Sequence, residues 1–418
     1  MARPKKNGVY LNVCIDTSIY SELEDVCKEA GQTKTIAVER ALADYIENHK
    51  RQKKLLSGLE NAEPENNVFR LGELYSGPGG LACGAAGARS ADGRFSIAHA
   101  WASDIDPDSC KTYADNIFGG DMSKVYCEDV RTLDISKLGS IDAFAYGFPC
   151  NSFSNVGEHQ GLDNNKFGML YWYGIEVLKK YQPKWFLAEN VSGLKSAGDG
   201  EHFKQILKDM EEAGYVLVPN MYRFEEYGVP QTRHRIIIVG IRKDLAKKGI
   251  VYRVPSPEMY KNEDVSARTA LAGIPADAPN NEKRKLNEKV RERLSYIKPG
   301  ENAWSSNIPE ELRIKTKTKI SQIYRKLDPD KPSYTVTASG GGGTFMYHWS
   351  DEQRELTNRE RARIQTFPDD FKFSGNYASV RKQIGMAVPP KGAEIIFNAI
   401  LNSFAKIDYP WVEPNIEE

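Results

Sequence analysis

The chain has 418 residues, 40% hydrophobic and 27% charged, with a formal net charge of zero. That length supports two or three domains with ample core; no apolar run is long enough to span a membrane, and no signal peptide opens the chain. The six cysteines (Cys14, Cys27, Cys83, Cys110, Cys127 and Cys150) form no C-x-x-C pair, which argues against a metal centre and for reduced cytoplasmic thiols.

Residues 1–50 form a separate small unit. Leu11, Val13 and Ile15 alternate with Asn12 and Cys14, the period of a half-buried strand. Asp16-Thr17-Ser18 can cap a helix carrying Leu23, Val26 and Ala30 and closed by Gly31, and a second helix carries Ile36, Val38, Leu42, Tyr45 and Ile46. One strand and two helices cannot make a core alone, so a homodimer paired through its strands is expected. The layout resembles a ribbon-helix-helix unit, which would face Tyr10, Asn12 and Cys14 toward DNA. The alternative is a packing appendage. Residues 51–67 are polar and read as a linker.

From Val68 strands alternate with helices, an α/β pattern. Val68–Tyr75 is a strand, Ser76-Gly77-Pro78-Gly79-Gly80 a tight turn, and an Ala- and Gly-rich helix follows. The next strand ends at Asp104, 25 residues past Gly79, near the spacing at which an acid reaches a nucleoside ribose. A third unit ends at Glu128-Asp129-Val130. The glycine turn is shorter than G-x-G-x-x-G, which suits a nucleoside without a pyrophosphate; an ordinary turn flanked by surface acids is the competing reading.

Two apolar runs, Ile141–Tyr146 and Trp185–Ala188, deliver Cys150 and Glu189 to strand ends, where open α/β sheets bind ligands. A free thiol has a pKa of about 8.5, and a helix starting near Ser152 or Ser154 would lower it. Residues 157–168 read as a loop able to close over substrate, and 166–180 as a helix carrying Leu170. A carboxyl directly after Trp-Phe-Leu-Ala is partly desolvated, which would let it hold or donate a proton. Gln231, Arg233 and Arg235 share one side of an extended segment that enters the run Ile236–Gly240, and two guanidiniums there need anionic or carbonyl partners.

These motifs resemble the DNA cytosine-5 methyltransferase family: Leu-Tyr-Ser-Gly-Pro-Gly-Gly (74–80), Gly-Phe-Pro-Cys (147–150), Glu-Asn-Val (189–191), Gln-Thr-Arg-His-Arg (231–235), the run at 354–369 and Gln-Ile-Gly-Met-Ala-Val-Pro (383–389), in the family's order. The resemblance implies a Rossmann-like S-adenosylmethionine-dependent sheet (68–245), a smaller target-recognition domain (246–375) and a C-terminal helix returning to the sheet (376–418). It implies that Cys150 attacks carbon 6 of a flipped cytosine, that Glu189 bonds ring nitrogen 3 and the amine, and that Arg235 contacts the base carbonyl, with Arg233 and Gln231 organising that strand. S-adenosylmethionine, leaving as S-adenosylhomocysteine, would meet Tyr75, Ser76, Gly77, Gly79, Gly80, Leu81, Asp104, Ile105, Asp129, Val130, Pro149, Leu170, Met386 and Val388. The family usually has asparagine where Met386 stands, and often where Arg223 stands.

Between 281 and 327, thirteen Lys/Arg face six Asp/Glu, a basic island in a neutral chain. Lys315, Lys317 and Lys319 alternate with threonines, a pattern suited to phosphate contacts, which give affinity without sequence information. Base-reading residues are expected around Trp304–Tyr324 and the 340–343 glycine loop. The expected activity is sequence-specific methylation of double-stranded DNA by a bacterial, cytoplasmic, nucleoid-associated enzyme, with a cognate restriction endonuclease as a further partner. An RNA cytosine methyltransferase and a DNA-binding regulator are the competing classes.

Overall fold

Parallel strands buried on both faces need near-continuous apolar sequence, and the longest such runs form the centre of the molecule. The computed structural model describes residues 17–29, 31, 33–35, 37–38, 42, 67–149, 170–316, 319–338, 340–341 and 343–416. The expectations for Tyr10, Asn12, Cys14, Cys150, Lys317 and the 157–168 loop lie outside these residues. The chain divides into two compact units, Met1–Glu65 and Asn66–Glu418. In the first, α1 (Thr17–Glu29) runs toward Gly31, which takes a positive φ of 60°. Cys27 is its buried residue, whereas Val26, expected on the apolar face, is exposed. Lys34 Nζ donates to Tyr20 Oη at 2.6 Å and pairs with Glu24.

The second unit is built on a seven-stranded sheet. Its strands are β1 (Asn67–Leu74), β2 (Phe95–Asp104), β3 (Val125–Cys127), β4 (Ala143–Gly147), β5 (Trp185–Val191), β6 (Tyr215–Arg223) and β8 (His234–Arg242), in the order β3-β2-β1-β4-β5-β8-β6. The short β7 (Gln231–Thr232) lies outside it. Every pair is parallel except those of β8, which runs antiparallel to both β5 and β6. The period-2 alternation of strands sorts the core into two layers. Ala143, Ala145, Leu187 and Val239 face one layer, while Phe144, Tyr146, Phe186 and Ile238 face the other. α4 (Tyr171–Tyr181) and α5 (Glu201–Glu212) cover the second layer with Ile175, Leu178, Ile206 and Met210.

The first layer is covered by α2 (Gly80–Gly87), which follows the turn after β1, and by the last long helix, Pro390–Ala405. These two helices approach almost backbone to backbone. A Cβ added at Gly84 would stand 2.5 Å from the Pro390 carbonyl oxygen, and one at Gly80 2.3 Å from that of Val388. α3 (Pro107–Ile117) starts at Asp106, whose carboxylate accepts from the Asp108 and Ser109 amides.

The order reverses at β1, which has β2 on one side and β4 on the other, so a crevice opens above their carboxyl ends. Beyond β8 the chain has few regular elements. Two-residue strands β9 (Val254–Pro255), β10 (Ser333–Tyr334) and β11 (Trp411–Val412) pair as β9–β11 and β7–β10. Separate apolar clusters form here, one around Leu327, Val336, Leu356, Phe367 and Phe371, another around Leu294, Ile308 and Tyr347. α6 (Asn358–Ile364) opens with a capping box made by Thr357 and Glu360. α7 (Tyr377–Met386) packs Val380 and Ile384 into the first of these clusters, and α8 (the helix Pro390–Ala405) returns to the sheet.

Candidate functional site

A cavity of about 500 Å³ occupies the crevice. The turn after β1 supplies Tyr75, Ser76, Gly77, Gly80 and Leu81; the end of β2 supplies Asp104 and Ile105; the loop after β3 supplies Asp129 and Val130. Pro149, Leu170, Met386 and Val388 complete the set that the sequence placed there, and only Gly79 of that set stands outside the lining. Gly79 instead takes a φ of 95° and turns the chain into α2. Pro78, Ser103, Glu128, Arg131, Gly147 and Ala387 also line the cavity and were not expected. They sit one residue from expected ones or, in the case of Ser103 and Gly147, at strand ends. Strand-end position was the available signal.

Asp104 accepts from the Gly77 amide at 2.8 Å and the Asp106 amide at 2.9 Å, so its carboxylate holds the glycine turn against β2. Burial nonetheless pushes its pKa up from the ordinary carboxylate value. Asp129 is more open. It accepts from Arg131 Nε at 3.0 Å, and that hydrogen bond holds its carboxyl below the usual range. Tyr75 has a φ of 55° and donates its hydroxyl to the Leu170 carbonyl at 2.7 Å, tying the turn to the start of α4. Burial pushes its phenol well up. Ser76 Oγ is buried without a partner among the described residues.

At one end of the cavity, Glu189 stands beside Gly147 in the β4–β5 register and meets Arg235 of β8, Nε to Oε1, at 2.8 Å. Both side chains are nearly buried, at 13% and 14% exposure, yet Glu189 faces the cavity. Arg235 also donates to the His234 carbonyl at 2.8 Å, and His234 in turn pairs with Glu225 at 2.7 Å. Asn190, in the Glu-Asn-Val motif, had no role assigned from the sequence. Its buried Nδ2 donates to the Phe148 carbonyl at 2.8 Å, fixing the loop that leads to Cys150.

Gln231 and Arg233 lie behind the cavity wall. Gln231 is fully buried, accepts from the Val336 amide at 2.8 Å and donates to Gln365 at 2.9 Å. Arg233 is 1% exposed and donates to the carbonyls of Val336 (3.1 Å), Gly385 (3.0 Å) and Ala387 (2.8 Å). Burial pushes its pKa down to about 9. It thereby joins the link between β7 and β8, the segment after β10 and the end of α7, where Met386 meets the cavity. Arg233→Met removes all three donations and takes the donor from the Val336 and Gly385 carbonyls, while Ala387 keeps Gln365. The expected loss is about 3–5 kcal/mol of stability, read as a lower midpoint in chemical denaturation.

Lys315 and Lys319 are exposed, with Lys319 Nζ 5.9 Å from the Trp304 ring centroid. Tyr324 reaches the glycine loop, its amide donating to the Gly343 carbonyl at 2.8 Å, and Arg293 stacks on its ring at 4.9 Å. Among the described residues no group of acids, histidines and cysteines is arranged to hold a metal ion, and no helix is long and apolar enough to cross a membrane.

Residues 69–402 match the family described as C-5 cytosine-specific DNA methylase. The Type II methyltransferase M.BbvI of Brevibacillus brevis is 56% identical over 354 residues, covering 82% of this chain and 93% of its own. The Type II methyltransferase M.NgoFVII of Neisseria gonorrhoeae is 37% identical over 359 residues, covering 83% and 90%. Among solved structures, a prophage-encoded E. coli protein described as a DNA modification methyltransferase aligns with a TM-score of 0.58 at 25% identity, covering 80% of this chain and 99% of its own.

Proposed function

The chain belongs to the C-5 cytosine-specific DNA methylase family, and from that premise we propose that Cys150, Glu189 and Arg235 carry out the methylation of a flipped cytosine in a specific DNA sequence. The chain is a DNA (cytosine-5-)-methyltransferase that uses S-adenosylmethionine. The observation that carries the assignment of residues is the Glu189–Arg235 pair, with Glu189 lining the cavity beside Gly147, on the strand next to the one that leads to Pro149.

The cavity fits the cofactor. Its volume lies in the range of small-molecule sites, Leu81, Ile105, Val130 and Val388 supply apolar walls, and Ser76 and Asp104 are polar residues of the lining, Ser76 Oγ being without a partner among the described residues. When bound, S-adenosylmethionine supplies a methyl group activated by its sulfonium. Carbon 5 of cytosine is a poor nucleophile, and a thiolate added at carbon 6 breaks aromaticity and makes an enamine. Cys150 provides that sulfur. Glu189 bonds ring nitrogen 3 and the exocyclic amine and stabilises the charge that develops as Cys150 adds. Arg235 holds the Glu189 carboxylate and donates to the base carbonyl. Loss of the carbon-5 proton then expels Cys150. Extrusion of the base costs a few kcal/mol, offset by these contacts.

Asp104→Asn tests the cofactor site. Replacing a charged acceptor of ribose hydroxyls by a neutral one should weaken S-adenosylmethionine binding by roughly ten- to a hundredfold in calorimetry. Because burial raises the Asp104 pKa, the carboxylate is lost at a less acid pH than usual, and wild-type affinity should fall as pH drops through that raised value, a dependence absent from the variant.

The reaction itself is tested with duplex DNA carrying 5-fluorocytosine at the target position. Fluorine cannot leave as a proton, so the adduct on Cys150 should persist as a denaturant-resistant protein–DNA band that requires S-adenosylmethionine. No such band on any duplex, or a band mapping to another residue, would count against the mechanism.

The proposal extends to the rest of the chain. Residues 246–375 would read the target, with Lys315, Lys317 and Lys319 on phosphates. Residues 1–50 would add a dimeric, DNA-binding ribbon-helix-helix unit with transcriptional autoregulation through Tyr10, Asn12 and Cys14. The Type II names of the bacterial relatives support a restriction-modification role; a cognate endonuclease and a place at the nucleoid of the bacterial cytoplasm complete the proposal.

A further inference from the structure

Cys110 and Cys127 both adjoin Asp104 of the cavity lining, and the methyl-transfer chemistry uses neither. Cys110, on α3, is fully buried; Cys127 ends β3 and is exposed; both are free thiols. Parallel pairing of β2 with β3 sets Cys127 opposite Asp104. Cys110 Sγ donates to the Asp104 carbonyl at 3.3 Å, so both thiols flank the same residue. One backbone residue, Asp104, is therefore held between a buried and a solvent-facing sulfur. Its side chain supports the glycine turn, and its partner across the β2–β3 edge, Cys127, is followed in the chain by the Glu128 and Asp129 of the cavity wall.

We propose that Cys110 and Cys127 are an oxidation-sensitive pair whose disulfide weakens cofactor binding. The inference rests on the assignment of the cavity to S-adenosylmethionine. The oxidant is a hydroperoxide, with hydrogen peroxide as the simplest. The exposed Cys127 sulfur, as thiolate, attacks one peroxide oxygen; the O–O bond breaks, leaving a sulfenic acid and water. Cys110 Sγ then attacks Cys127 Sγ; the S–S bond forms, the S–O bond breaks and a second water leaves. In sum, two thiols give up two protons and two electrons, and one peroxide becomes two waters. The order of attack follows from exposure. Burial, and then the contact with Cys127, push the Cys110 thiol up, so it stays protonated and acts second.

The consequence for the cavity is local. Oxidation removes the Cys110 proton and with it the hydrogen bond to the Asp104 carbonyl. It also ties the start of α3 to the end of β3, so that the turn at Asp104–Asp106 and the wall at Glu128–Asp129 can no longer adjust independently around a nucleoside. Loss of one hydrogen bond's contribution corresponds to roughly three- to tenfold in affinity.

The test uses the full chain. Reduced protein is treated with hydrogen peroxide, digested and mapped by mass spectrometry, and S-adenosylmethionine binding is measured by calorimetry before treatment, after it and after dithiothreitol. The expected result is one joined peptide pair linking residues 110 and 127, affinity lowered three- to tenfold, and recovery on reduction. Cys127→Ser changes an exposed side chain and retains Cys150. It should bind the cofactor equally before and after peroxide, which separates this pair from oxidation of Cys150. Cys127 recovered as sulfinic acid with Cys110 free would overturn the disulfide, and unchanged affinity in the crosslinked protein would overturn the switch. Absence of binding in the reduced protein would overturn the cofactor assignment instead.

Discussion

Cys150→Ser is expected to lower methyl transfer by at least about 10⁴-fold while leaving cofactor and DNA binding nearly intact. Serine keeps the shape of the side chain but not its chemistry. A thiol is partly ionised at neutral pH and its thiolate is intrinsically nucleophilic, whereas a hydroxyl needs a strong base to reach the same state. Without a sulfur on carbon 6, carbon 5 stays part of an aromatic ring and has no enamine electrons with which to take a methyl group. The loss should therefore appear in single-turnover rates, with the S-adenosylmethionine dissociation constant unchanged. A variant whose rate falls only because the cofactor no longer binds would point to a structural role for Cys150.

Glu189→Gln is expected to cost roughly 10²–10⁴-fold in the same single-turnover assay, the usual range for a positioned acid–base group. The amide keeps a donor and an acceptor for the base edge but cannot carry a carboxyl's proton to ring nitrogen 3. It also gives up the charge that meets Arg235 Nε at 2.8 Å, so Arg235 loses the partner that orients it. Two effects separate by measurement. The chemical one slows the adduct; the positional one weakens binding of DNA with a flipped target. Arg235→Lys keeps the charge but not the planar fork, and should reproduce the positional loss with a smaller fall in rate.

Much of the site was legible because its residues close apolar runs. Ala143–Tyr146 and Trp185–Ala188 are completely or almost completely buried, and a doubly covered parallel sheet requires such runs. The ligands of the crevice are then the polar residues that end them, as Asp104 and Glu189 do. The expectation that guanidiniums entering β8 need partners was met in two different ways: Arg235 found a carboxylate and Arg233 three carbonyls. Asn190 had no signal of its own, since an asparagine bonding a carbonyl 42 residues earlier leaves no local pattern.

The region after β8 was far less legible. Its strands are two residues long, and its pairings, such as Gln231 with Ser333, join distant segments. Its core also contains charge. Arg359 and Arg361 are fully buried on α6, with Arg359 donating to the carbonyls of Pro279 (2.9 Å) and Pro368 (2.7 Å). Hydrophobic periodicity treats such arginines as surface, so the side of α6 that faces inward could not be read. Strand β10 stops at Tyr334, and the residues after it bond side chains rather than a neighbouring strand: Val336 donates its amide to Gln231 Oε1 at 2.8 Å.

The central claim is that this chain methylates carbon 5 of cytosine at a defined DNA sequence through Cys150. Bisulfite sequencing of DNA from cells expressing it tests that most directly. The predicted result is newly protected cytosines at one recurring sequence, all lost when the cells express Cys150→Ser. No newly protected cytosine, or the same protected pattern in the Cys150→Ser cells, would contradict it.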